Sequence, residues 1–219
     1  MIEKLYEAGG QYGYSKSRRH PSTTPFIFGS RNRFDIINLE KTNEQLKAAQ
    51  AFLKSVRSTG KLVVFVGTKP ESKNIIKRVA EGINAPFVNE RWIGGTLTNF
   101  SEIQRRIAML NELEQKKATN DLVFKTKKEK LMIMRKIDKL LVTFGGIRTM
   151  QAVPGAIVVV DSKKEFIAVE EAKRKNIPVI SLSNTDCDIS VIDFPIVVND
   201  ASKKSVETVL NLLLGEVVE

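Results

Sequence analysis

Cysteine is almost absent from this chain. One residue, Cys187, stands among 219, so no disulfide can form within the chain. The expectation is a reducing, cytoplasmic compartment. Histidine is just as scarce. His20 is the only one and lies in an Arg-Arg-His-Pro run. A lone cysteine and a lone histidine exclude metal sites of the paired Cys/His kind, and neither G-x-S-x-G nor H-E-x-x-H occurs. Acid–base chemistry would fall to carboxylates alone. Long apolar runs are also missing. The densest, Leu62–Val66 and Ile157–Val160, have the length of buried strands and fall far short of the ~20 residues that span a bilayer. The opening Met1-Ile2-Glu3-Lys4 has no apolar signal core. Catalytic residues, metal ligands, cofactors and a membrane partner are therefore not expected.

What the chain has in excess is positive charge, unevenly placed. Net charge is +10. Residues 1–150 carry 28 Lys+Arg against 14 Asp+Glu, whereas residues 151–219 carry 7 against 11. A surface that only needs solubility has no use for such asymmetry; a face that meets phosphates does. The hydrophobic content of 42% is enough for a packed core, and neither an internal repeat nor a low-complexity tract interrupts it.

The periodicity divides the chain. Residues 1–40 look irregular, with Gly9-Gly10, Gly13, Pro21, Pro25 and Gly29, yet Tyr6, Tyr12, Tyr14, Phe26, Phe28 and Phe34 give this stretch too many rings for free solvent. It reads as a basic arm packed on the core, in which Phe26–Phe28 and Ile36-Ile37 could be short strands. Residues 41–98 and 145–219 alternate strand and helix. Helices are expected at Asn43–Val56, Ser72–Ile83, Lys164–Lys175 and Ser202–Leu214. Strands are expected at Leu62–Val66, Pro86–Val88, Ala156–Val160, Val179–Leu182 and Pro195–Val198. That alternation predicts an α/β fold, a parallel sheet of about five strands flanked by helices. Residues 99–144 break the pattern. Phe100, Ile103, Ile107, Leu110 and Leu113 form one narrow apolar seam, and Leu131, Met134, Ile137, Leu141 and Phe144 another. Asn99 with Glu102 and Thr126 with Glu129 have capping-box spacing. An inserted antiparallel coiled-coil hairpin with a polar linker over Gln115–Lys125 is expected. Residues 101–150 hold 12 basic and 6 acidic side chains.

Three motifs invite chemistry. Gly67-Thr68-Lys69-Pro70 joins a strand to a helix, but the second glycine of a phosphate loop is missing and Pro70 removes a donor, so a tight turn is expected. Asp186, Asp188, Asp193 and Asp200 fall near strand ends, where open α/β sheets place ligands. They could serve a hard cation, but a solvated acidic rim is the simpler expectation. The stretch Asn89–Asn99 holds the only tryptophan and a glycine pair. Trp92, Gly94 and Gly95, with Gly145 and Gly146 at the far end of the insertion, read as a structural hinge. The small polar side chains of this stretch suit phosphate and sugar contacts.

Here the sequence resembles a known family. Arg91-Trp92-Ile93-Gly94-Gly95-Thr96-Leu97-Thr98-Asn99 is similar to the R-W-[LI]-G-G-x-L-T-N signature of the bacterial-type small-subunit ribosomal protein S-two family. The likeness continues through Pro25-Phe26-Ile27-Phe28-Gly29-x-Arg31-Asn32, Ile36–Thr42, Phe65–Lys69, Leu122 with Lys127-Lys128-Glu129, and Gly145-Gly146-Ile147. Two departures stand out. The family's G-x-H-x-G-H reads Gly9-Gly10-Gln11-Tyr12-Gly13-Tyr14, and N-H-R-W reads Asn89-Glu90-Arg91-Trp92. The contacts of those histidines cannot be carried over. The resemblance implies a flavodoxin-like or Rossmann-like domain with an inserted helical hairpin. It further implies a place on the solvent side of the small subunit, between head and body, beside small-subunit ribosomal RNA and neighbouring small-subunit proteins. It also implies help in docking the S-one protein. Candidate RNA contacts are Lys16, Arg18, Arg19, Arg31, Arg91, Lys127 and Lys128, with Thr98 and Asn99 as neutral partners. The competing expectation is a small α/β enzyme or nucleotide-binding protein holding an anionic substrate at the strand C-termini.

Overall fold

In the computed structural model, which describes residues 1–119 and 126–215, the N-terminal stretch is more regular than its composition suggests. A short helix, α1 (Ile2–Glu7), precedes three strands, β1 (Tyr12–Ser15), β2 (Ile27–Arg31) and β3 (Phe34–Ile37). They form a separate antiparallel sheet in the order β1-β3-β2. Its strands are short and two of its pairings are bulged, which blurs the alternation that a strand normally shows in sequence. Helix α2 (Leu39–Ser58) starts four residues before the expected Asn43. The Asn38 side chain caps it, accepting from the Glu40 and Lys41 amides at 2.9 and 3.4 Å. Gly60, with φ +70°, turns the chain out of it.

The main domain follows the expected alternation. Strand β4 (Val63–Val66) leads to α3 (Lys73–Gly82) and β5 (Phe87–Val88). After α4 (Phe100–Ala118) and α5 (Lys127–Phe144) come β6 (Ala156–Val160), α6 (Phe166–Arg174), β7 (Val179–Ser183), β8 (Phe194–Val197) and α7 (Lys203–Gly215). All five strands β4–β8 pair in parallel, in the order β5-β4-β6-β7-β8. The order reverses between β4 and β6, the switch point of a doubly wound sheet. Both sheet faces are covered, so the inner strands are continuously apolar. Val63, Phe65, Ala156, Val158 and Val160 join the core under α2, α3 and α7. Their neighbours Val64, Val66, Ile157 and Val159 join the opposite core, with Trp92, Ile103, Ile107 and Phe144.

The region between β5 and β6 departs from its expectation in detail. Helix α4 packs against α5 and runs through Gln115–Ala118, part of the expected linker. Thr119 caps its C-terminus, and the rest of that linker, with Leu122, lies outside the described residues. Thr126 caps α5 by accepting from the Glu129 amide at 3.2 Å, but the Asn99 side chain makes no such bond to α4. Ile103, Ile107, Leu110, Ile137 and Phe144 are buried, whereas Leu131 is half exposed. Leu131 sits about 20 Å along the helix axis from Phe144, beyond the reach of the sheet.

Candidate nucleic-acid interface

The crevice at the strand C-termini is where an α/β protein would hold a small anionic ligand. Here its polar groups already bind one another. The Lys69 ammonium lies 2.5 Å from Asp161 and 2.7 Å from Asp200, whose side chain is fully buried. Burial disfavours the charged lysine, but Asp200 and Asp161 outweigh it and hold its pKa above the ordinary range. The Thr68 amide donates to Glu165 at 3.1 Å, and the Thr68 hydroxyl donates to the same carboxylate. The Asn184 amide group donates to Asp200 at 3.0 Å. Buried beside Asp161, the Cys187 thiol is pushed up to about 12, so it stays protonated and is a poor nucleophile.

The N-terminal sheet closes this crevice from above. The Tyr14 amide donates to the Thr185 hydroxyl at 3.0 Å, the His20 amide and the Thr23 hydroxyl both donate to the Thr185 carbonyl, and a Cβ on Gly13 would collide with Thr185. Two of the four aspartates depart from the solvated rim expected from their spacing. Asp200 is fully buried beneath the sheet and Asp186 is nearly so, between Arg18 and Lys163. Asp193 is exposed and accepts from the Val179 amide at 2.9 Å, and Asp188 is partly exposed. The tertiary fold brings β1 and the His20–Thr23 turn onto Thr185 at the strand ends, which no local pattern announces. Among the described residues no group of three or more such side chains could hold a metal ion.

The Asn89–Asn99 stretch is organised by a residue that sequence reasoning did not single out. Glu171 of α6 is buried, and its carboxylate accepts five hydrogen bonds from four residues of this loop. Gly95 donates its amide at 2.7 Å, Leu97 at 2.9 Å and Thr98 at 3.1 Å. The Thr98 hydroxyl and the Trp92 indole add bonds of 3.2 and 3.3 Å. Burial alone would lift the Glu171 pKa, but the Leu97, Gly95 and Thr98 amides and the indole together hold it below the usual carboxylate range. Gly95 has φ +95°, a conformation that lets successive amides converge on one anion. Trp92 is buried in the core beneath, and a Cβ on Gly146 would strike the Phe87 carbonyl. Gly94 and Gly145 have open surroundings for a side chain. The readable signal for Glu171 was its place beside Ala168, Val169 and Ala172 on the buried side of α6, where an acid needs a partner.

The candidate RNA contacts are spread over three places. Lys16, Arg18, Arg19 and Arg31 belong to the N-terminal sheet and its loops, Arg91, Thr98 and Asn99 to the Glu171 loop, and Lys127 and Lys128 to the first turn of α5. They differ in freedom. Arg19 grips the fully buried Asp35, donating from Nε at 2.8 Å and from Nη2 at 2.5 Å. Arg19 donation holds the Asp35 carboxyl below its ordinary range. Arg18 lies 3.3 Å from Asp186 and 4.4 Å above the Tyr14 ring. Lys16, Arg31, Arg91, Lys127 and Lys128 are exposed. The departures from the family's histidine positions also have local roles. Glu90 pairs with Lys73 at 2.5 Å, Tyr14 supports Arg18, and Gln11 is buried.

Known proteins supply the remaining comparison. Residues 5–219 match the family described as Ribosomal protein S2. The chain is 41% identical, over all of its own length and 76% of the relative, to the small ribosomal subunit protein uS2 of Nocardia farcinica. It is 38% identical to the small ribosomal subunit protein uS2c of Cyanophora paradoxa, over all of its length and 94% of the relative. Against uS2 of Helicobacter hepaticus the identity is 41% over 94% of this chain and 78% of the relative. With a family match that spans almost every residue and full-length relatives near 40% identity, the chain belongs to the ribosomal protein S2 family.

Proposed function

We propose that this chain is a structural constituent of the small ribosomal subunit, not an enzyme, and that it holds small-subunit ribosomal RNA through cations of its first two-thirds. Membership in the ribosomal protein S2 family supports the small-subunit role. The observation that carries RNA binding is the contrast in availability. Lys16, Arg31 and Arg91 are exposed, and among the described residues none has a carboxylate within ion-pair range. The donors of the strand-end crevice are bonded internally, so an anionic substrate finds no cradle there. A position between head and body, and help in docking the S-one protein, rest on the family resemblance; co-sedimentation of S-one with small subunits lacking this chain tests the latter.

Filter binding to small-subunit ribosomal RNA fragments across a salt series tests these cations. Deleting one cation that neutralises a phosphate lowers the log–log salt slope by somewhat under ~1 unit. Lys16→Ala with Arg31→Ala should flatten it by up to roughly two units and weaken affinity for every RNA alike. Lys203→Ala with Lys204→Ala, the same formal charge on α7, should leave it unchanged. Equal slopes for the two double variants would show that charge acts diffusely and that no localised basic face exists.

In this reading the arm (1–40), the α/β domain (41–98 and 145–219) and the inserted pair (99–144) are separable in function. The distal parts of α4 and α5 are the dispensable ones, because Ile103, Ile107 and Phe144 belong to the sheet's core. Replacing residues 112–133 by a short Gly/Ser linker should preserve cooperative melting and weaken RNA affinity. Loss of cooperativity would place those residues in the folding unit.

A further inference from the structure

The β1-β3-β2 sheet is packed on one side only. On β3, Asp35 and Ile37 are buried toward the main domain, and Phe34 and Ile36 alternate to the other side. The register then places Tyr12 of β1 and Gly29 of β2 on either flank of Ile36, and Arg31 opposite Phe34. Tyr12 is 56% exposed and Phe34 54%, while Phe28, beside the bulge of β2, reaches 79%. A Cβ on Gly29 would meet nothing within 4 Å, so the β2 edge of this face is open.

Singly exposed apolar residues are ordinary on a protein surface. Tyr12 and Phe34, two exposed rings on one face of a three-stranded sheet, form a patch that calls for an occupant. The charges beside it select that occupant. Lys16, Arg31 and Arg33 are exposed, and among the described residues no carboxylate lies within ion-pair range of them. Asn32 and Arg33, with φ +52° and +70°, make the tight turn that keeps Arg31 and Arg33 beside Phe34. Aromatic faces on a sheet, edged by free cations, match unpaired nucleotides: bases stack on rings whatever their sequence, and phosphates meet the cations. Paired RNA hides its base faces and has no use for the rings.

We propose that the outer face of the β1-β3-β2 sheet is a stacking platform for unpaired RNA bases. Tyr12 and Phe34 are the main ring faces, Gly29 is the open seat on the edge strand β2, and Lys16, Arg31 and Arg33 hold the backbone. This deepens the RNA-binding reading given above and rests on it.

The test is anisotropy titration of the full chain with a labelled mixed-sequence single-stranded RNA of about 12 nucleotides, a length within single-strand site sizes, and with a blunt duplex of equal length. Tyr12→Leu with Phe34→Leu keeps apolar bulk and removes both rings. It should weaken single-strand binding by roughly tenfold or more, leaving the salt slope and duplex affinity unchanged. Gly29→Val is a second route, since the site has room for a side chain and a strand tolerates valine. It should leave the melting temperature unchanged and reduce single-strand affinity by about fivefold or more, as expected for an obstructed stack. If the double variant melts without cooperativity, Gly29→Val decides alone. Unchanged single-strand affinity in the variants, with duplex still bound, would overturn the platform and leave RNA binding standing. No binding of either RNA by the unmodified chain would remove both. Variants that bind single strands normally but fail to enter small subunits would assign the face to a protein neighbour and overturn the proposal.

Discussion

At the strand ends, Lys69 is enclosed by Asp161 and Asp200, and Thr68 by Glu165. On the outer side of the N-terminal sheet, Lys16 and Arg31 stand in solvent with no carboxylate in range among the described residues. Both regions are rich in charge, and both lie near positions where their fold could take a ligand. In the first, ammonium and carboxylates satisfy each other out of water, and the site is closed by the protein itself. In the second, no carboxylate among the described residues balances the cations, and phosphate can. Charge therefore points to a partner only after internal pairing has been subtracted. Arg19 makes the distinction within a single segment: it neighbours Arg18 in sequence, yet it belongs with the buried pairs.

Removing Lys69 breaks the comparison most severely. Lys69→Met would leave Asp161 and Asp200 together without a counter-charge, and loss of one partner from a buried pair costs roughly 3–5 kcal/mol. Urea unfolding at neutral pH measures it. An unchanged midpoint would mean that Lys69 is available to ligands after all and that the crevice is not closed from within.

Glu171→Gln comes next. It removes the anion on which the Gly95, Leu97 and Thr98 amides converge, and charge-assisted bonds of this kind contribute about 1.5–3 kcal/mol each at most. A net loss of about 2–4 kcal/mol is expected, since the amide keeps one acceptor. The pH dependence fixes the cause. Glu171 has a depressed folded-state pKa, so its contribution is fully present above the unfolded value of about 4.3. It is lost as pH falls through the folded value. The stability gap between the unmodified chain and the glutamine variant should be constant near neutrality and narrow in acid. A gap independent of pH through that range would show that shape, not charge, is what the loop needs.

The arginine pair gives the smallest effects and the sharpest contrast. Arg19→Ala orphans the buried Asp35 and should cost about 2–3 kcal/mol. Arg18→Ala removes a partner whose own side chain is 56% exposed, and should cost no more than about 1 kcal/mol. Thermal melts of the two variants decide this; equal losses would show that neighbouring position, not burial, governs them. A joint Arg18/Arg19 variant would mix unfolding with impaired RNA binding, which is why Lys16 and Arg31 are the better probes of binding.

Periodicity alone set out the five parallel strands and the helices between them. Runs such as Val63–Val66 and Ala156–Val160 are apolar at every position because helices cover both faces of the sheet. The loop Asn89–Asn99 was legible for the same local reason, its glycines and tryptophan being rare enough to mark a turn and an anchor. Composition likewise located the positive charge in residues 1–150. Which cations are free was decided only by tertiary structure. The bond from Arg19 to Asp35 joins the loop after β1 to β3 of a bulged sheet. Lys69 and Asp200 are 131 positions apart, and Leu97 and Glu171 are 74 apart. Hydrogen bonding and desolvation act through space over a few ångströms, whereas the sequence records neighbours along the chain. The pairing that closes the strand-end crevice, and the exposure that leaves one side of the β1-β3-β2 sheet open, exist only once the chain has folded.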